Sequence, residues 1–120
     1  MKRFIGAGMF LVFYLVTASG VSEKLVYRIV VRFGSVCCGI DREVYDKVMR
    51  LIADREQQIG KTIAVEKVYW GKEGEFNLCM ALDELPEARR FVFVHKVKDI
   101  TDNVPTVKVD ENSPCTASWE

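Results

Sequence analysis

Residues 25–41 read LVYRIVVRFGSVCCGID, and this stretch decides the fold. Apolar and aromatic side chains alternate along its first half: Leu25, Tyr27, Ile29, Val31 and Phe33. Arg28 and Arg32 fall on the opposite face, a pattern typical of a β-strand with one buried side. The alternation stops at Gly34, and Asp41 is a suitable N-cap for a following helix. The stretch therefore predicts a strand, a loop with two cysteines and a helix, in that order.

The chain after Asp41 predicts a helix and then a hairpin. Apolar residues recur at helical spacing over residues 42–59, and Gly60 is the natural stop. Residues 62–70 and 75–82 have the composition of two strands, and the second alternates apolar with polar side chains. Residues 71–74, Gly-Lys-Glu-Gly, provide the turn between them.

Residues 83–100 are compatible with two structures. Acidic residues and Pro86 precede a pair of arginines, as in the first turn of a helix, whereas residues 91–94, Phe-Val-Phe-Val, are strand formers. We favour a helix over residues 86–99, with Leu85, Ala88, Phe91 and Val92 on its buried face. A third consecutive strand over residues 91–98 is the alternative.

The predicted order of elements is β-α-β-β-α-β, the ferredoxin-like pattern of an α+β fold, with a last strand at residues 106–110. In this arrangement the first and third strands lie in the middle of an antiparallel sheet, both helices cover one face, and the other face is open. If residues 91–98 form a strand, the order becomes βαβββ, with one helix on the sheet. In either case we expect residues 21–110 to form a single α+β domain and residues 111–120 to form a polar C-terminal tail.

The first twenty residues have the layout of a secretory signal peptide. Lys2 and Arg3 precede an apolar run over residues 4–16, and Ala18 and Gly20 are small enough to flank a cleavage site. The run is shorter than the roughly 20 residues needed to span a bilayer, so we expect cleavage, after Gly20 or alternatively after Ala18. We therefore expect a periplasmic or extracellular protein. An uncleaved segment would instead tether the domain to a membrane.

The charge balance disfavours nucleic acid as a partner. The full chain has 17 basic and 17 acidic residues, and loss of Lys2 and Arg3 leaves a net charge of −2. Binding to nucleic acid calls for a concentrated basic face, which this composition does not offer. No motif indicates a cofactor, so none is predicted.

The mature chain retains four cysteines: Cys37, Cys38, Cys79 and Cys115. In an oxidising compartment we expect disulfides. If the alternation of the first strand continues through Gly34, Cys38 and Cys79 lie on neighbouring strands, and this pair is the preferred bond. Cys37 and Cys115 then pair or remain free. A bond between Cys37 and Cys38 is the least favoured pairing, because it closes a small strained ring.

An alternative interpretation makes Cys37 and Cys38 a reactive or metal-binding thiol site. They precede a predicted helix, whose dipole favours thiolate. Their position resembles that of the Cys-x-x-Cys motif in small metal-carrying domains with the same order of elements. Here the two cysteines are adjacent, so the motif itself differs.

Catalysis is not predicted. His95 is the single histidine, and no nucleophile motif or metal-ligand spacing surrounds it. We therefore expect a non-catalytic binding module, an inhibitor or an envelope assembly component, with a protein partner or a second copy of itself. Its candidate contact residues lie on the open sheet face or the hairpin: Arg28, Arg32, Trp70, Glu73 and Asn77. Trp70 has a second interpretation, as a lid over the end of the core.

Overall fold

Four strands and two helices make up residues 25–116, the part of the chain that this computed structural model describes. They are β1 (Val26–Phe33), α1 (Arg42–Ile59), β2 (Glu66–Tyr69), β3 (Phe76–Met80), α2 (Glu87–Thr101) and β4 (Val107–Pro114). The strands form one antiparallel sheet in the order β2-β3-β1-β4. This α+β arrangement confirms the predicted ferredoxin-like order, with β1 and β3 in the centre.

Helix α1 begins and ends where its capping residues predict. The Asp41 carboxylate accepts the backbone N–H of Val44 at 3.2 Å, which satisfies one of the free donors of the first turn. Gly60 adopts a left-handed conformation, with φ of 69°, and donates its N–H to the carbonyl of Glu56. The predicted range of residues 42–59 is confirmed.

Helix α2 resolves the ambiguity of residues 83–100, and the alternative with a third consecutive strand is wrong. The predicted face of this helix is also wrong for Ala88, Phe91 and Val92, although Leu85 is buried as expected. Phe93, Val94 and Val97 pack into the core, whereas Phe91 and Val92 are 66% and 46% exposed. Apolar residues occupy four consecutive positions here, so they surround the helix and do not define its rotation.

The main core lies between one face of the sheet and the two helices. Residues of β1 and β3 pair directly across the central ladder: Ile29 with Met80, Val31 with Leu78, and Phe33 with Phe76. These six side chains join the buried residues of both helices in one cluster. The alternation of β1 therefore predicted the core face correctly.

The second face of the sheet is not open, which corrects the sequence-based expectation. Val30, Arg32, Asn77 and Cys79 are each no more than 2% exposed. Strand β4 extends to Pro114, four residues beyond the predicted end, and the chain after it lies against this face. Asn77 Nδ2 and Arg32 Nη1 both donate to the carbonyl of Thr116. Residues predicted as a polar tail thus help to form a second buried layer.

The disulfide pairing also differs from the preferred one. Cys79 bonds to Cys115, and Cys37 bonds to its neighbour Cys38. The predicted Cys38–Cys79 bond is wrong because β1 ends at Phe33, and the residues after Gly34 leave the sheet. Cys79 instead lies opposite Val30 within the ladder, beneath the segment that carries Cys115.

The predicted signal peptide at residues 1–20 and the last four residues lie outside the described part of the chain. Between residues 25 and 116, neither helix is long and apolar enough to cross a membrane. Two disulfides are typical of proteins from oxidising compartments.

Candidate binding site at the loop end of the sheet

Two loops meet beyond the end of β1, and we call them together the loop end: residues 34–41, between β1 and α1, and residues 70–75, between β2 and β3. Their backbones approach closely, since a Cβ added to Gly39 would lie 4.0 Å from the carbonyl oxygen of Glu73. Gly39 and Gly74 both have positive φ, of 106° and 90°, which favours glycine at each position. The predicted loop with two cysteines and the predicted hairpin turn therefore form one continuous surface.

A buried carboxylate supports the hairpin loop from below. Glu75 is 8% exposed, and its Oε1 accepts the backbone N–H of Glu73 at 2.8 Å. A Cβ added to Gly71 would lie 2.0 Å from the same oxygen. A side chain at position 71 would therefore displace the Glu75 carboxylate, which occupies the space that it would need.

A groove of about 490 Å³ opens between the loop end, α1 and β2. Its base is aromatic: the ring centroids of Tyr45 and Tyr69 each lie 5.5 Å from that of Phe76, in edge-to-face contact. The side chain of Lys67 lies over the same rings, with its Nζ 4.3 Å from the Phe76 centroid. Such contacts stabilise a cation and hold it in place.

The groove carries more positive than negative charge. Arg42, Lys67 and Glu73 line it. A hydrogen bond with Tyr69 raises the pKa of Lys67, and charge interactions with Tyr45 and Tyr69 act in the same direction against partial desolvation. Lys67 therefore stays protonated at neutral pH, and the groove presents two cations against one carboxylate.

The Cys37–Cys38 disulfide forms the outer rim of the loop end. Both cysteines are exposed, and Val36 beside them is 89% exposed. Cys38 has a φ of 70°, a left-handed conformation that is unusual for a residue with a side chain. The N–H of Gly39 donates to Ser35 Oγ at 3.3 Å, which closes the loop on itself. The rim is therefore both solvent-exposed and conformationally restricted.

The rim separates the groove from a second cavity of about 370 Å³. Val36, Trp70, Glu75 and Pro105 contribute to the lining of this second cavity, whereas Cys38 lines the groove. Trp70 is half-buried, and its indole N–H donates to Asn77 Oδ1 at 3.0 Å. The hydrogen bond joins Trp70 to a residue of the buried second face, as expected if the indole ring covers the edge of that face.

The structure does not bring the five predicted contact residues together. Arg32 and Asn77 are buried beneath the C-terminal segment, so neither offers a contact surface, which corrects their selection. Arg28 forms an ion pair of 3.0 Å with Glu87 and lies five residues before the end of β1, roughly 17 Å from the loop end. Glu73 lines the groove and Trp70 lines the second cavity, so only these two belong to the loop end.

Sequence reasoning missed Val36, Tyr45, Lys67 and Tyr69. Lys67 and Tyr69 share one face of a predicted strand, a signal that was present in the sequence. Tyr45 comes from α1 and Val36 from a loop, and no local pattern relates either of them to β2. The groove combines three elements, so it required the tertiary structure.

Few features of the described residues support chemistry other than binding. Within residues 25–116, no group of three His, Cys, Asp or Glu side chains is placed to hold a metal ion. His95 is exposed and stacks on the ring of Phe91, with 6.5 Å between centroids. With Cys37 and Cys38 bonded to each other, neither sulfur is a thiolate ligand in this state.

No protein-family model, curated protein or solved structure matches this chain. The fold and its bonds define a class: a small α+β protein of ferredoxin-like topology with two disulfides. Any more specific function must be argued from the geometry of the loop end.

Proposed function

We propose that this protein is an exported, non-catalytic binding module that holds a protein partner at its loop end. Export is supported by the arrangement of residues 1–20 and by the two disulfides of the mature chain. The absence of a nucleophile motif from the sequence supports a non-catalytic role.

The observation that carries the proposal is the exposure of apolar and aromatic side chains on a fixed framework. Val36 is 89% exposed beside the second cavity, and Tyr69 is 61% exposed at the groove on the other side of the disulfide rim. The Cys37–Cys38 ring restrains one of them, and the β2–β3 ladder restrains the other. Exposed apolar groups on rigid backbone bind with little loss of conformational entropy, and aromatic residues are common anchors of interfaces.

The charge of the groove defines the chemistry of the partner. Arg42 and Lys67 outnumber Glu73, and Lys67 is held over the aromatic base. A complementary surface therefore presents an apolar side chain flanked by carboxylates. Replacing Arg42 by an acidic residue reverses this complementarity without disturbing the core, since Arg42 is exposed at the start of α1.

A site-specific photo-cross-linker at position 36 tests the proposal in cells of the source organism. The expected result is one cross-linked protein, whose yield falls at least about tenfold with the Arg42→Glu substitution, equivalent to about 1.4 kcal/mol. Phe91→Ala is the control for altering an exposed residue elsewhere, because Phe91 is exposed on α2 and lines neither the groove nor the second cavity. This control variant should leave the yield unchanged.

Two results would overturn the proposal. One is a cross-linked product that is insensitive to Arg42→Glu, or equally sensitive to Phe91→Ala. The other is a cross-link to a second copy of this chain alone, together with a dimer in sedimentation velocity, which would make the loop end a self-association surface.

A further inference from the structure

We propose that the Cys37–Cys38 disulfide is a thiol–disulfide exchange site for small thiols that carry carboxylate groups. The Cys79–Cys115 disulfide, by contrast, is structural. This inference goes beyond the binding of a partner and does not depend on it.

Accessibility distinguishes the two disulfides. Thiol–disulfide exchange requires a thiolate to reach one sulfur directly. Cys37 and Cys38 are both exposed, whereas Cys79 is 1% exposed beneath the C-terminal segment and Cys115 is half-buried. A dissolved thiol therefore reaches the adjacent pair more readily than the Cys79–Cys115 bond.

The groove determines which sulfur is attacked. Cys38 lines the groove of about 490 Å³, whereas Cys37 does not. This volume falls within the range that holds a small ligand. An incoming thiol that occupies the groove therefore approaches Cys38, and Cys37 is the leaving sulfur.

The charges of the groove select an anionic thiol. Arg42 and Lys67 line the same groove as Cys38, with Glu73 as the opposing carboxylate. Two cations favour the approach of carboxylate groups, and they favour thiolate over thiol at the site of exchange. A cationic thiol gains nothing from either side chain.

The exchange balances in two steps. A thiolate attacks Cys38 Sγ, the Cys37–Cys38 bond breaks, and its electron pair passes to Cys37 Sγ, which takes up a proton. A second thiolate then attacks the mixed disulfide, so that two small thiols become one small disulfide and Cys37 and Cys38 become thiols. In the reverse direction the Cys37 thiolate attacks the mixed disulfide on Cys38 and expels the small thiol. Adjacency in the chain makes this closure intramolecular.

The experiment uses glutathione as the anionic probe and cysteamine as the cationic one. Folded, oxidised protein is treated with each thiol without oxygen, quenched with acid, alkylated and digested for mass spectrometry. We expect a glutathione adduct on Cys38 with an alkylated Cys37, while the Cys79–Cys115 fragment stays linked. A Cys37→Ser/Cys38→Ser double variant should form no adduct.

The Arg42→Gln variant tests the selection by charge. It should slow the reaction with glutathione by about threefold or more, as expected for the loss of one screened charge, and change the cysteamine rate less, because the ammonium group of cysteamine offsets its thiolate charge. For each thiol, the rate with the variant is compared with the rate with the wild type, so the difference in intrinsic reactivity between the two thiols cancels. Equal slowing with both thiols would refute the charge selection. Reduction of Cys79–Cys115 before or together with Cys37–Cys38 would refute the exchange site, as would a Cys37–Cys38 bond that forms no adduct and is not reduced. Cross-linking from position 36 is read separately, so either proposal can fail without the other.

Discussion

Removing the Cys79–Cys115 disulfide should destabilise the domain by about 4–5 kcal/mol. The bond joins residues 36 positions apart. By the entropy of loop closure in the unfolded chain, a loop of that length corresponds to about 3.8 kcal/mol at 25 °C. Weakening of the two hydrogen bonds to the Thr116 carbonyl adds about 0.5–1.5 kcal/mol. A Cys79→Ala/Cys115→Ser variant tests this value without burying a new hydroxyl at position 79.

Urea denaturation is the direct assay. With a slope of about 1–2 kcal/mol per molar urea, the midpoint should fall by about 2–5 M. The Cys37→Ser/Cys38→Ser variant is the matched control, because a bond between residues one position apart closes almost no loop in the unfolded chain. Equal shifts in the two variants, or a loss below about 1 kcal/mol for the first, would show that the C-terminal segment does not hold the second face closed.

Three further predictions concern the buried layer, the charge pairs and the hairpin. Asp110→Asn should cost about 2–4 kcal/mol in urea denaturation, because it removes the carboxylate charge 2.7 Å from the Arg32 guanidinium, whose side chain is 3% exposed. Hydrogen bonding from Arg28 lowers the pKa of Glu87, so this pair stabilises the fold above the unfolded pKa of the carboxyl group and is lost as pH falls through the lower folded value. At low salt, the urea midpoint of Glu87→Gln should therefore vary less below about pH 4.5 than that of the wild type. Gly71→Ala should lower the midpoint by the equivalent of about 1–3 kcal/mol, because its Cβ would displace the buried carboxylate beneath the hairpin.

Local signals were sufficient for most of the fold. The bounds of α1 follow from Asp41 and Gly60, whose capping roles depend on neighbours within four residues. The alternation in β1 likewise identified the core face, since a strand inverts its side chains at every residue. The sequence pattern did not predict which face of α2 is buried, because Phe91 and Phe93 are equally apolar. Only packing against the sheet distinguishes them.

The second face and the disulfide pairing depend on the path of the chain far from the sheet centre. Residues 111–116 are mostly polar and show no periodicity, yet they close a face that the sequence left open. Cys38 leaves the plane of the sheet because β1 ends at Phe33, immediately before Gly34. The loop end was accordingly only half predicted: its two loops were recognised, but not the groove that they form with α1 and β2.

An exposed bond between neighbouring cysteines forms the rim of the loop end, whereas the Cys79–Cys115 bond joins the C-terminal segment to the second face of the sheet. Mass spectrometry of a non-reduced digest of the purified protein tests this arrangement. We expect one fragment containing both Cys37 and Cys38, lighter than its reduced form by the mass of two hydrogen atoms. We also expect a linked pair of fragments containing Cys79 and Cys115, and an N-terminus at Val21 or Ser19. A fragment joining Cys37 or Cys38 to either distant cysteine would contradict it.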